Sequence, residues 1–282
     1  MWTNFPEDAT SLSQDGQYMW SDSLLFTPVL TEGATDVTGY FPKSLWYSIT
    51  DDGLIDATQE GKTATFDTPM STTNVHIRGG SIVPMQNSGM TTKAVKESPF
   101  TLLVALDSTG SASGSLFLDD GVQNELSTIT YVEYTLEVGN LVSSVAAGSS
   151  YETTLALETI EIRGVDRVYG TACTAELTTQ PLDGDAQTFT PVTSVVNVGE
   201  FYSTFTVTFD GVQVASDYVL SFDCSEDSDD DDGIFSDVYV QVVVSLVVIS
   251  CFVALLFLWT KMRKASMSKN GNEEALLDRN QF

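Results

Sequence analysis

The run Thr204-Phe-Thr-Val-Thr-Phe-Asp-Gly-Val-Gln-Val214 decides how this chain folds. Phe205, Val207 and Phe209 alternate with Thr204, Thr206 and Thr208, the period of two that sends successive side chains to opposite faces of a strand. Asp210-Gly211 then carries a hairpin-turn signal before Val212-Gln-Val214. The same alternation recurs upstream, where Val132, Tyr134, Leu136 and Val138 interleave with Glu133, Thr135 and Glu137. There Gly139-Asn140 is expected to turn the chain into Leu141-Val-Ser-Ser-Val145. Two further strands, Thr101-Leu-Leu-Val-Ala-Leu106 and Ser115-Leu-Phe-Leu118, flank a Ser/Gly-rich turn between Ser108 and Gly114. Residues 50–66 are polar and read as a loop, and no stretch of 20–225 keeps a helical period for long. The expectation is an all-β body of two antiparallel β-sandwiches, divided near Asp119-Asp-Gly121.

The 282 residues leave room for a buried core, and 42% hydrophobic with 10% aromatic content is too rich for a disordered chain. Charge is lopsided, with 39 acidic residues against 12 basic ones. Residues 1–237 hold 36 acids and 7 bases, a net of −29, while residues 238–282 hold 3 acids and 5 bases, a net of +2. Nucleic-acid affinity comes mainly from Lys and Arg on phosphates, so that function class is excluded. Anionic membrane surfaces would repel the body for the same reason. Cys173, Cys224 and Cys251 show no C-x-x-C spacing, and with His76 as the single histidine a structural zinc site is out. His76 sits in the strand-like run Asn74-Val-His-Ile-Arg78, a poor setting for a catalytic base. No cofactor site is indicated.

Residues 238–260 are 23 in a row without a charge, rich in Val, Leu, Ile and Phe. At about 1.5 Å per residue such a helix crosses a hydrocarbon core of about 30 Å with some tilt. An acidic stalk, 224–237, precedes it, and Lys261-Met-Arg-Lys264 opens the tail 261–282. The stalk lacks the spacing of an EF-hand calcium loop. Basic residues stay cytosolic, so a single-pass type I arrangement is expected, with the body extracellular or lumenal, at the plasma membrane or in an endolysosomal or vacuolar compartment. That arrangement needs a signal peptide, and Met1-Trp-Thr-Asn-Phe-Pro-Glu-Asp8 is not one. The expectation is therefore that the sequence lacks its true N-terminus. In the tail, Glu273-Glu-Ala-Leu-Leu277 is similar to an acidic dileucine sorting signal, set against a plain polar tail.

Several runs resemble one known family. They are Phe5-Pro-Glu-Asp8, Gln17-Tyr-Met-Trp20, Asp22-Ser-Leu-Leu25, Thr27-Pro-Val29, Val37-Thr-Gly-Tyr-Phe-Pro42 and Trp46-Tyr47. Asn74-Val-His-Ile-Arg-Gly-Gly-Ser-Ile-Val-Pro84, Gly89-Met-Thr-Thr92, Leu102-Leu-Val-Ala-Leu106 and Gly114-Ser-Leu-Phe-Leu-Asp-Asp-Gly121 come next, in order. Together they resemble the C-terminal part of glycoside hydrolase family 31, within it the acid α-glucosidase and maltase branch. The resemblance implies that residues 1–22 end a catalytic (β/α)8 barrel, that 23–122 form the proximal C-terminal sandwich and that 123–223 form the distal one. It implies hydrolysis of terminal α-glucosidic bonds with retention, through an Asp nucleophile and an Asp acid/base. Neither is expected here, because the nucleophile's W-x-D-M-N-E string does not occur and the acid/base belongs to barrel segments. The chain would thus meet an α-glucoside only through the missing barrel. Ser21 stands where the family usually has Gly, and a C-terminal anchor is not its usual arrangement.

Asp51-Asp52 and Asp119-Asp120 tempt as acid/base pairs, but adjacent strand residues face opposite ways and Asp-Gly is a turn signal first. Arg78-Gly79-Gly80 reads as a strand end with a tight turn, an anion nest being the alternative. Trp2, Phe5, Tyr18 and Trp20 are read as packing against the barrel, with sugar stacking the lesser option; without the barrel they should lose much of that packing. A lumenal body permits a Cys173–Cys224 disulfide, against two separate buried thiols. No N-x-S/T sequon occurs. The competing function is a non-catalytic, membrane-anchored β-sandwich module that binds glycans or protein partners.

Overall fold

Val132, Tyr134 and Leu136 are buried while Glu133, Thr135 and Glu137 are exposed, so the alternation of charged and apolar residues sorts them to two faces of one strand. The computed structural model describes residues 1–121, 128–179 and 186–225. Its strands are β1 (Tyr18–Trp20), β2 (Leu24–Phe26), β3 (Asp36–Phe41), β4 (Leu45–Ser48), β5 (Leu54–Asp56) and β6 (Lys62–Asp67). Then come β7 (Val75–Arg78), β8 (Ser81–Gln86), β9 (Phe100–Ala105), β10 (Ala112–Leu118), β11 (Thr130–Glu137) and β12 (Asn140–Val145). The last are β13 (Leu157–Arg163), β14 (Ala172–Thr179), β15 (Gln187–Phe189), β16 (Thr193–Val198), β17 (Ser203–Thr208) and β18 (Tyr218–Ser225). Helix among the described residues is confined to two 3-10 turns and α1 (Thr92–Lys96), capped where Thr91 Oγ1 accepts from the Ala94 amide at 3.1 Å.

Three sheets result among the described residues. A five-stranded sheet has the order β1-β2-β7-β4-β5, β3 and β6 form a ribbon, and eleven strands lie in the order β15-β14-β18-β12-β11-β10-β8-β9-β13-β17-β16. The large sheet closes on itself as a sandwich. Leu102 and Val104 of β9, Ile160 and Ile162 of β13, and Phe205 and Val207 of β17 share one core with Leu136 of β11, Leu141 of β12, Leu177 of β14 and Leu220 of β18. Each such side chain taken from water contributes roughly 1.5–3 kcal/mol. The outer face of β9 is covered too, because Leu103 and Ala105 pack on Leu45, Tyr47 and Ile77 of the five-stranded sheet. Two covered faces explain why β9 is a continuous apolar run instead of an alternating one. A third core, built on Leu25, Phe41 and Trp46, fills the space between the ribbon and the five-stranded sheet. Polar ties cross between layers: Tyr47 Oη donates to the Leu106 carbonyl at 2.8 Å, Arg163 donates to the Ser48 carbonyl, and Arg167 pairs with Asp56 at 2.7 Å.

The structure departs from the sequence reading in four places. Val212-Gln-Val214 does not pair back onto β17, because β13 and β16 already occupy both edges of that strand. Gly211 still turns the chain, at φ 82°, but Leu157 and Val214 amides instead donate to the Val212 and Leu155 carbonyls. Residues 50–66 are not a loop, since β5 pairs with β4 and β6 with β3; the alternating run Thr63-Ala-Thr-Phe66 is short and polar enough to hide its period. The β11–β12 turn is Val138-Gly139, one residue earlier than expected, with Glu137 opposite Asn140. Pairing is mostly antiparallel, but β8–β10 and β9–β13 are parallel.

Asp119-Asp-Gly121 lies in the connection between β10 and β11, which pair from Ala112–Leu136 to Leu118–Thr130. The large sheet therefore takes strands from both sides of residue 122. Residues 1–22 are tied to the neighbouring strands by β1–β2 pairing and by Gln17, which donates to Thr27 Oγ1 at 2.9 Å and accepts from the Tyr40 amide at 2.6 Å. The expected transmembrane helix 238–260, the tail 261–282 and residues 226–237 of the stalk lie outside the described residues. Among the described residues no helix is long and apolar enough to cross a membrane.

Candidate functional site

The first carboxylate of each pair forms a turn. Asp51 Oδ1 accepts from the Gly53 amide at 2.8 Å, and Asp119 Oδ1 accepts from the Gly121 amide at 2.9 Å. Gly121 has φ 66°, which an L-residue resists. Arg78-Gly79-Gly80 is a strand end, not an anion nest: the Gly79 and Gly80 amides donate to the carbonyls of Leu45 and Ala105, both at 2.8 Å. The Arg78 guanidinium lies 4.7 Å from the centre of the Phe5 ring.

His76 is 2% exposed, with Phe41 and Phe66 at ring-centre distances of 4.8 and 5.0 Å. Burial pushes its pKa down to about 4, against a weak upward pull from Asp51. The imidazole is a neutral core group whose Nδ1 has no hydrogen-bond partner among the described residues. Cys173 and Cys224 stand opposite each other on β14 and β18 and form a disulfide, S–S 2.02 Å.

The aromatic residues of the first twenty divide. Phe5 packs 6.1 Å from Trp46 and Met1 is buried, so this end has real packing partners. Trp2, Tyr18 and Trp20 remain 61%, 52% and 69% exposed. Spacing of two on β1 puts Tyr18 and Trp20 on one face, and register adds Phe26 opposite Tyr18. Tyr18 stacks on Phe26 at 4.9 Å with planes 2° apart, and Trp20 lies 5.9 Å from Phe26. Ser21, at φ 57°, turns the chain directly after Trp20.

That turn overhangs a groove of about 590 Å³. One wall carries Trp20 and Asp22, and the other is the start of β8 with Ser113, Gly114 and Ser115 of β10. The β10 side of the groove is made of small residues. A Cβ on Gly114 would sit 2.0 Å from the Ile82 carbonyl oxygen, so β8 and β10 approach only with glycine there. The Ser23 hydroxyl, donating to Asp22 Oδ1 at 2.8 Å, holds that carboxyl below its usual pKa, with burial opposing and Ser21 and Arg78 assisting. Sequence reasoning singled out Trp20 and Ser21, but not β10, because nothing local shows that β8 and β10 lie beside β1.

Residues 1–83 match the family described as the glycosyl hydrolase family 31 C-terminal domain. The chain is 42% identical over 168 residues to an α-glucosidase of Schizosaccharomyces pombe, covering 58% of this chain and 17% of that protein. It is 35% identical over 184 residues to the lysosomal α-glucosidase of Rattus norvegicus, covering 58% of this chain and 19% of that one. The chain thus spans under a fifth of the length of these relatives. In fold it is similar to the crystal structure of glucosidase II alpha subunit, with a TM-score of 0.69 at 22% identity over 79% of this chain and 25% of that one. The motifs running from Phe5 to Pro84 therefore lie in the segment that matches the glycosyl hydrolase family 31 C-terminal domain, and over that segment and beyond it the chain is similar to α-glucosidases.

Proposed function

We propose that this chain is the C-terminal, non-catalytic portion of a membrane-anchored retaining α-glucosidase, an enzyme that releases terminal α-linked glucose from oligosaccharides. The family match of residues 1–83 carries the reading. Retaining hydrolysis needs two carboxyl groups about 5–5.5 Å apart across the scissile bond. Here the W-x-D-M-N-E string is absent, and Asp51 and Asp119 are engaged in turns. The chemistry would belong to a barrel, and the sandwiches would support its rim. Residues 238–260 would tether the enzyme, with the body extracellular or lumenal and the tail 261–282 cytosolic.

A domain exchange tests this. Deleting the matching C-terminal segment of the S. pombe α-glucosidase should abolish its hydrolysis of maltose, and supplying residues 1–223 of this chain in its place should restore it. The 282-residue chain alone should show no turnover of maltose above blank. A folded, secreted chimera without activity, or inhibitor-sensitive turnover by the chain alone, would overturn the reading.

A further inference from the structure

We propose that Asp210-Gly211 is a self-modifying turn, at which the folded chain converts aspartate to isoaspartate with water as the only co-reactant. Three Asp-Gly pairs lie among the described residues, Asp52-Gly53, Asp120-Gly121 and Asp210-Gly211, and each aspartate is exposed. Glycine has no Cβ to shield its amide nitrogen, so local sequence alone makes all three candidates. The fold separates them. The Gly53 and Gly121 amides donate to Asp51 Oδ1 at 2.8 Å and to Asp119 Oδ1 at 2.9 Å. In both, a second aspartate precedes the pair and its carboxylate closes a turn over the glycine amide. Before Asp210 stands Phe209, 5% exposed, which has no side-chain acceptor. The Gly211 amide donates to no group among the described residues, and the Asp210 carboxylate has no hydrogen-bond or ion-pair partner there. Space differs as well. A Cβ on Gly211 would meet only the Phe189 ring, at 3.8 Å, whereas Gly53 is crowded by Asp51 Oδ1 at 2.8 Å and Gly121 by Lys96 Nζ.

The step balances without an oxidant or reductant. The Gly211 nitrogen attacks Cγ of the protonated Asp210 carboxyl. A C–N bond forms, the nitrogen gives up its proton, and the carboxyl hydroxyl leaves as water, closing a five-membered cyclic imide. Water then opens the imide at the former main-chain carbonyl. The α-carboxyl is set free and the backbone now runs through Cβ and Cγ, one carbon longer, with mass and charge unchanged. The location makes that carbon matter. Val212 is 1% exposed and its carbonyl accepts from the Leu157 amide at 2.9 Å, so the turn joins two buried anchors, Phe209 and Val212. A close-packed core does not absorb such a shift in spacing.

The test ages the full 282-residue chain in detergent, folded and in parallel in urea. Peptide mapping with electron-transfer fragmentation then tells isoaspartyl from aspartyl at each position. In the folded chain isoaspartate should accumulate at 210 at least about tenfold faster than at 52 or 120, a difference of about 1.4 kcal/mol in barrier. In urea the three rates should converge. Asp51→Ala frees the Gly53 amide and should raise the rate at 52 towards that at 210. Asp119→Ala does the same for position 120 and serves if circular dichroism shows that Asp51→Ala does not fold. Asp210→Glu, whose imide would be six-membered and slow to close, should remove the signal from its peptide. A folded chain in which 210 is no faster than 52 and 120 overturns the proposal. So does a difference that persists in urea, or a folded Asp51→Ala or Asp119→Ala chain whose freed site stays as slow as before.

Discussion

Two non-glycine residues among those described sit in left-handed backbone, Ser21 at φ 57° and Val138 at φ 49°. Val138 is the costlier, being β-branched and 74% exposed, so packing returns little for it. With Gly139 at φ 73° it fills a two-residue hairpin turn that favours Asn-Gly. Val138→Asn should therefore stabilise the protein by about 1 kcal/mol, raising Tm by roughly 2–4 °C in a thermal melt. Ser21→Gly should act in the same direction, since the family's usual residue there carries no Cβ penalty. His76 gives a pH dependence of known sign. Its folded pKa of about 4 lies below the ordinary 6.5, so the fold favours the neutral ring. The associated stability is complete above pH 6.5 and is lost as the pH falls towards 4. His76→Gln should flatten that part of the curve, read as the urea midpoint at pH 7 and at pH 4.5. An equal loss in both proteins would assign the acid sensitivity elsewhere.

At the scale of elements, the disulfide links β14 to β18 across a sequence separation of 51 residues. Closing a loop of that size removes unfolded-state entropy worth about 4 kcal/mol in the chain-entropy model. Cys173→Ala with Cys224→Ala should lower the stability read from a denaturant titration by up to that amount while leaving the eight-residue β14–β18 pairing in place. Complete loss of structure would mean that the bond organises this layer instead of reinforcing it. The elements also show where sequence and fold part company. The alternating strands β11, β12 and β17 were legible because apolar and polar residues sort cleanly to their two faces. Strands β5 and β6 were not, because their residues are half-buried or exposed and show little hydrophobic contrast.

For the whole molecule, the distribution of charge makes a topological prediction. A tag placed after Phe282 should be digested by protease added to intact microsomes, while residues 23–225 survive until detergent is added. A protected tag with a cleaved body would reverse the orientation. The body's own surface explains the groove at this scale. Strand β1 is an edge strand of one sheet, and it overhangs the outer face of another, so neither sheet alone contains the groove.

From its sequence alone, the chain's β class, many of its strand-bearing segments, its resemblance to one family and its uncharged 238–260 run were determined, because each rests on local period, composition or ordered motif. Even the awkward turn at Ser21 was visible as a departure from the family's glycine. Only tertiary structure decided strand partners. The run 212–214 leaves β17 because both edges there are filled, and β8 inserts between β9 and β10 because a glycine at 114 permits the approach. Strand pairing and the groove it creates depend on contacts between residues far apart in the chain, and local period carries no trace of them.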